Sequence, residues 1–243
     1  MLAETIFHAG HGGDSIQAYL ARPLGPGPYP SVIVIHHMPG WDEASKEIAR
    51  KFAYNGYIAI APNLHYREAP GARPDDAAAA VRSQGGVPDE RCIGDVEESA
   101  NYVRALPYAN GKVGVIGYCS GGRQVYIVAC NIPSLDAAVD CYGGRVIMDE
   151  KDLTERMPVS PIDMTPNMNC PLLGLFGADD ANPDQSQVNK IEEELKRNNK
   201  TYEFHTYEGA GHGFFSVDRP SYNVEASNDG WQKIFDFYGR HLN

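Results

Sequence analysis

The chain has 243 residues, 42% of them hydrophobic and 22% charged. That is the balance of a folded globular chain rather than a disordered one, and the length suits one α/β domain. A formal net charge of −11 argues against nucleic acid or an anionic membrane as a partner. The five cysteines are odd in number and include no C-x-x-C pair, so their spacing speaks against a disulfide framework or a zinc site and for a reducing cytoplasm.

The opening stretch "MLAETIFHAGHGGDSIQAYL" has neither a basic leader nor an unbroken apolar core, so no signal peptide is expected. No run approaches 18 apolar residues, so no membrane span is expected either. Strand-like runs then recur along the chain: "SIQAYLA", "SVIVIHH", "GYIAIAP", "KVGVIGY", "LDAAVDCY", "CPLLGLFG" and "TYEFHTYE". Several are almost continuously apolar and β-branched, the composition of strands buried on both faces. Helical patterns fall between them: "DEASKEIARKFAYNG", "DERCIGDVEESANYVRAL", "GGRQVYIVACN", "SQVNKIEEELKRNN" and "DGWQKIFDFYGRHL". The first stops at Gly56 and the second at Pro107, both residues that end helices. Such alternation predicts a mostly parallel sheet with helices on both faces, in a single domain over residues 1–243. Residues 144–169 carry Pro158, Pro161 and Pro166 with weak periodicity, and are expected to cross the top of the sheet as a cap or connecting loop. "PLGPGPYP", between two strand candidates, reads as a loop.

Chemistry concentrates at "GYCSGG", residues 117–122, between the apolar run "KVGVI" and the helical run "RQVYIVAC". G-x-C-x-G at a strand-to-helix junction is a nucleophile elbow: a tight, strained turn lifts a side chain above the sheet, and small neighbours let strand and helix approach. The helix N-terminus favours a thiolate at Cys119 and offers the Ser120 N–H to an oxyanion. Ser120 itself is the other hydroxyl- or thiol-bearing candidate. Cys130 and Cys141 lie inside apolar patterns and read as packed core residues; Cys92 and Cys170 carry no stronger reading. An elbow nucleophile needs an acid and a histidine later in the chain. "LLGLFGADDANP" ends a strand with Asp179 and Asp180, and "GAGHGFF" sets His212 among glycines beyond the strand "TYEFHTY". His8, His11, His65, His205 and His241 carry no such context. The residues leave Asp179 and Asp180 both open.

These stretches resemble the dienelactone hydrolase family of the α/β-hydrolase fold, from "VIVIHHMPG" through "LPYANGKVGVIGYCSGG" to "GAGHGFF", nearly end to end. The resemblance implies a cofactor-free carboxylic ester hydrolase with Cys119, Asp180 and His212 as catalytic residues; Asp180 is selected by counting three from Gly177, with Asp179 as the alternative. It implies the backbone N–H groups of Ser120 and Met38 as oxyanion donors, and no metal. Two departures stand out. Met38 falls where the family's hydrolases of dienelactone carry a glutamate beside the thiol, with His36 and His37 adjoining. Ser216 falls where they carry an arginine for the substrate carboxylate, with Arg219 further on and Arg82 a loose match to another. His37, Arg82 and Arg219 are therefore the substrate-binding candidates. The implied partner is a small ester or lactone, handled by a cytoplasmic monomer or homodimer without nucleic acid or membrane. The alternatives are a hydrolase of another leaving group, such as a phosphotriester, and a redox-sensing or binding protein on the same scaffold.

Overall fold

The computed structural model describes residues 1–243. Eight strands form one sheet: β1 (Leu2–Ala9), β2 (Ser15–Arg22), β3 (Tyr29–Ile35), β4 (Ile58–Pro62), β5 (Ala109–Tyr118), β6 (Ala137–Cys141), β7 (Leu172–Gly177) and β8 (Tyr202–Tyr207). Six helices accompany them: α1 (Glu43–Tyr54), α2 (Pro74–Ser83), α3 (Asp89–Arg104), α4 (Ser120–Asn131), α5 (Gln185–Arg197) and α6 (Val224–His241). The strand order is β1-β2-β4-β3-β5-β6-β7-β8. β1 and β2 pair antiparallel, β2 runs antiparallel to β4, and β3 to β8 are mutually parallel. The expected mostly parallel sheet covered on both sides is present.

The apolar runs form strands because both sheet faces are covered. Successive side chains on β3 point to opposite faces: Ile33 and Ile35 pack with α3 and α4 residues such as Val96 and Val125. Val32 and Val34 pack against Phe52 of α1 and Trp231 and Tyr238 of α6. Phe52 lies edge-on to Trp231 at 5.6 Å between ring centroids, and Tyr238 donates its hydroxyl to the Val115 carbonyl at 2.8 Å. A buried aromatic of this kind is worth about 3–5 kcal/mol against alanine.

Four elements differ from the sequence reading. β1 lies at the sheet edge with most of its side chains exposed, so it lacks the apolar alternation that would announce it. α2 was not expected, although it opens with Pro74 at its first turn, has Asp75 and Asp76 there, and continues as an alanine run. α6 starts five residues before the expected Asp229, capped by Asn223, whose side chain accepts the Ala226 N–H at 3.0 Å. β3 stops at Ile35 rather than running through "HH", because residues 36–40 turn across the strand ends. Between β6 and β7, residues 144–169 contain two 3-10 turns, Glu150–Asp152 and Pro161–Asn167, and an isolated antiparallel bridge between Thr154 and Met157. The second 3-10 turn is tied to α4 by a 2.6 Å hydrogen bond between Thr165 and the Tyr126 hydroxyl. No helix is long and apolar enough to cross a membrane.

Candidate active site

β5 delivers the chain to Cys119 and α4 takes it away. Cys119 has φ 56° and ψ −119°, a left-sided conformation uncommon for a side-chain-bearing residue. The turn is that tight because helix and strand nearly touch. A Cβ on Gly117 would overlap the Gly121 carbonyl oxygen, and one on Gly121 would sit 2.5 Å from the Ile35 carbonyl oxygen. The four non-glycine residues with positive φ are Cys119, Tyr142, Arg145 and Asn199; Cys119 and Arg145 line one cleft, and Tyr142 packs behind it on His212. Local strain gathered in this way is characteristic of functional sites.

Asp180 and His212 arrive from the two strand ends beyond β6. His212 follows β8, Asp180 follows β7, and the His212 Nδ1–H donates to Asp180 Oδ2 at 2.8 Å. The Asp180 side chain is 2% exposed and the His212 side chain 38%, so the carboxylate is buried and the ring reaches the cleft. The other Asp180 oxygen accepts the Asn182 N–H at 2.8 Å. Asp179 is exposed on the cleft wall and makes no side-chain hydrogen bond to His212. The Tyr142 ring packs edge-on against His212 at 5.1 Å. The cleft, about 610 Å³, is large enough for a small molecule.

Electrostatics couple the two ends of this chain. Burial pushes the Cys119 thiol up, but the His212 hydrogen bond and charge, with the N–H groups of Ser120 and Met38, outweigh it and hold the thiol below its ordinary value. Hydrogen bonds to Asp180 and Cys119 push His212 up to about 10 against the cost of burial. Thiolate and imidazolium therefore stabilise each other. The backbone N–H groups of Met38, from the loop after β3, and of Ser120, at the α4 terminus, add to the downward pull on the thiol.

The family profile described as "Dienelactone hydrolase family" matches residues 16–242. The chain belongs to the dienelactone hydrolase family. A Yersinia pestis protein named "Putative carboxymethylenebutenolidase" is 34% identical over 231 residues, covering 94% of this chain and 85% of its own. The Escherichia coli (strain K12) protein of the same name is 34% identical over 234 residues, covering 94% and 84%. A Klebsiella pneumoniae crystal structure titled as a "Putative Dienelactone Hydrolase" superposes with a TM-score of 0.87 at 30% identity, over 99% of this chain and 100% of that one. A dienelactone hydrolase-like promiscuous phosphotriesterase from metagenomic libraries shares the fold at 19% identity with a TM-score of 0.77.

Within this dienelactone hydrolase-family site, the other sequence candidates lie elsewhere. Arg82 is exposed on α2 and Arg219 is exposed beyond the His212 loop; neither lines the cleft. His37 bonds Asp42 through Nε2 at 2.6 Å, and Asp42 in turn caps α1 by accepting the Ser45 N–H at 2.9 Å. That pairing holds the Asp42 carboxyl down at about 2 despite burial. His36 is buried and neutral: burial drives it down to about 4, its Nδ1–H donates to the His37 carbonyl at 2.9 Å, and its Nε2 accepts the Leu64 N–H at 3.2 Å. It braces the loop that carries Met38.

Two cleft arginines were not singled out from the sequence. Arg123, one turn past Cys119 on α4, makes a buried two-pronged ion pair with Asp89 at 2.6 and 3.0 Å. Its signal was the i, i+4 spacing from the elbow. Arg145 follows Gly143 and Gly144 off the end of β6, and makes no salt bridge to any carboxylate. Its signal was its place at the C-terminal edge of a parallel strand. Met157, from the 144–169 segment, lines the same cleft.

The lowered thiol and the raised imidazole carry a pH signature. Iodoacetamide alkylates the thiolate only, so alkylation of Cys119 is expected to rise with an apparent pKa below the usual thiol value of about 8.5. A further rise is expected near pH 10, as His212 loses its proton and releases the sulfur. A single transition at or above the ordinary thiol value would show that no ion pair exists.

Proposed function

We propose that this chain hydrolyses small esters and lactones through a Cys119–His212–Asp180 triad and an acyl-thiol intermediate. One observation carries the reading: a strained elbow thiol, held below its ordinary pKa, faces a histidine that is itself anchored by a buried carboxylate. The names of its relatives in Yersinia pestis and Escherichia coli point to the same substrate class.

In this mechanism the thiolate attacks the carbonyl carbon, and the N–H groups of Ser120 and Met38 receive the developing oxyanion. The carbon–oxygen bond breaks, and the leaving oxygen takes the proton of the His212 imidazolium. Water then attacks the thioester, giving a proton to neutral His212, and the carboxylic acid leaves as the thiolate is restored. Asp180 holds the ring so that Nε2 faces the sulfur. A thiolate is a strong nucleophile and a good leaving group. It suits activated esters and enol lactones, whose departing oxygen is stabilised, better than amides.

p-Nitrophenyl acetate tests this. A burst of about one equivalent of p-nitrophenol, with an acetyl group found on Cys119 by mass spectrometry of the quenched enzyme, is expected. Release without acylation, or acylation at Ser120, would overturn the triad. If paraoxon, a phosphotriester, turned over faster than the ester, the substrate class would change while the site stayed.

A further inference from the structure

β6 is apolar along its whole length except at Asp140. Alternation puts Asp140 on the side of Ala138, toward α4, while Val139 and Cys141 face α1 and α6. The residue is 2% exposed and no cation answers it. On α4, Arg123 is committed to Asp89 and the Tyr126 hydroxyl to Thr165. A carboxyl buried without a counter-ion costs free energy, and the mechanism above gives it no part.

Asp140 Oδ1 accepts the Gly143 N–H at 2.8 Å. That bond closes a turn over residues 140–145, in which Tyr142 has φ 45° and Arg145 has φ 59°. Side-chain-bearing residues in this region persist only where their surroundings hold them there. Asp140 holds the turn from below and α4 from the side. A Cβ on Gly143 would lie 2.5 Å from both Asp140 Oδ1 and the Gly122 carbonyl carbon.

This turn touches every part of the triad. Gly143 abuts Gly122, in the first turn of α4 that carries the elbow. The Tyr142 ring packs edge-on against His212 at 5.1 Å and against Phe214 at 5.2 Å. Gly144 backs onto the Asn182 side chain, and the Asn182 N–H donates to Asp180 Oδ1 at 2.8 Å.

We infer that Asp140 is a positioning residue: by accepting the Gly143 N–H it holds the strained β6 turn that seats His212 and Asp180 against the elbow. The inference rests on the triad reading and gives Asp140 no contact with substrate. The role needs an acceptor oxygen rather than a charge. Burial pushes the carboxyl up to about 7, against the pull of the Gly143 N–H, so both protonation states occur near neutrality. Either state offers an oxygen to that N–H.

Three variants separate acceptor, charge and bulk. Asp140→Asn keeps an acceptor without the charge, Asp140→Val keeps bulk without either, and Asp140→Ala keeps none of them. The readouts are the NMR titration midpoint of the His212 ring and the alkaline step in iodoacetamide alkylation of Cys119. Both fall near pH 10 in the parent. In Asp140→Val the ring meets Asp180 and Cys119 less well, and those bonds are what raise it. Its midpoint therefore moves to lower pH, with proton affinity about tenfold weaker. With p-nitrophenyl acetate, kcat falls about 10- to 100-fold with little change in KM, as for a misplaced catalytic group. Asp140→Asn rescues both, to within about threefold of the parent, because its amide oxygen still accepts.

Circular dichroism and Tm establish which variants fold, and Asp140→Ala stands in if Asp140→Val does not. A residue that only stabilises the fold would lower Tm and leave the His212 midpoint in place. A folded valine or alanine variant with its midpoint still near pH 10 would therefore overturn the role. So would an asparagine variant that shifts as far as valine, since charge rather than the acceptor would then matter. The parent alone supplies a further check: the Gly143 amide resonance is expected to move as Asp140 titrates near pH 7, and an amide that stays still would overturn the bond. Neither the His212 midpoint nor alkylation needs ester turnover. A chain that shows the shift but cleaves no ester would lose the proposed function and keep this role for Asp140.

Discussion

Replacing Cys119 by alanine is expected to lower kcat on p-nitrophenyl acetate by at least about three orders of magnitude, a loss of about 4 kcal/mol or more in transition-state stabilisation. The variant removes only a sulfur from a half-buried residue, and alanine keeps the same Cβ in the strained turn. The fold should therefore survive, with circular dichroism and Tm close to those of the parent. The rest of the site stays in place: the Ser120 and Met38 N–H groups and the His212–Asp180 pair can still bind a carbonyl, so a residual rate above background is expected. What disappears is the covalent path. Were the alanine variant to keep a tenth of the parental kcat, Ser120 or an activated water would have to be the nucleophile. A Cys119→Ser variant adds a second check. A hydroxyl is far less acidic than a thiol, so this variant should be slow and should lose the low-pH thiolate signature entirely.

Asp180→Asn is expected to cost about 10²- to 10⁴-fold in kcat, and Asp179→Asn less than about threefold. The buried carboxylate of Asp180 accepts the His212 Nδ1–H, and an amide there can present its NH₂ group instead and stabilise the wrong tautomer. Asp179 is exposed and bonds no part of the ring. The pH profile separates a specific role from general damage. The bond to Asp180 is the foremost cause of the raised His212 pKa of about 10. Removing the anion lowers it, so the alkaline limb of kcat/KM must move to lower pH. The sign is fixed: imidazolium is the active form below that limb, and it is lost sooner as pH rises. A variant that was merely less stable would lose activity without moving the limb. Equal mild losses in both asparagine variants would remove the triad acid from this loop, and a reversed ranking would hand the role to Asp179.

Local patterns along the chain were enough for most of the scaffold. β3 to β7 contain short apolar runs between turn signals, β8 alternates polar and aromatic residues, and residues two apart share a face whatever the rest of the chain does. The elbow was legible for the same reason: Gly117, Cys119 and Gly121 are set by contacts within a few residues and with the adjoining β3 end. The family followed from those same stretches. β1 was not legible, because its partner β2 and its exposed edge position make it a strand, not its own composition.

Spatial identity within the site was decided only by tertiary structure. Asp179 and Asp180 differ by one position in a loop, and only the path of the chain from β7 to β8 puts one of them on His212. Arg82 was a loose match to a family arginine and Arg219 lay just beyond Ser216, but both side chains are exposed and line no part of the cleft. Arg123 and Arg145, unremarked in the sequence, come to the cleft because α4 and the β6 loop end there. Sequence alone determined the layered sheet, the elbow thiol and the family, since each rests on short-range periodicity or close backbone packing. Folding decided which charged groups share the cleft and which do not, because those distances join residues far apart in the chain.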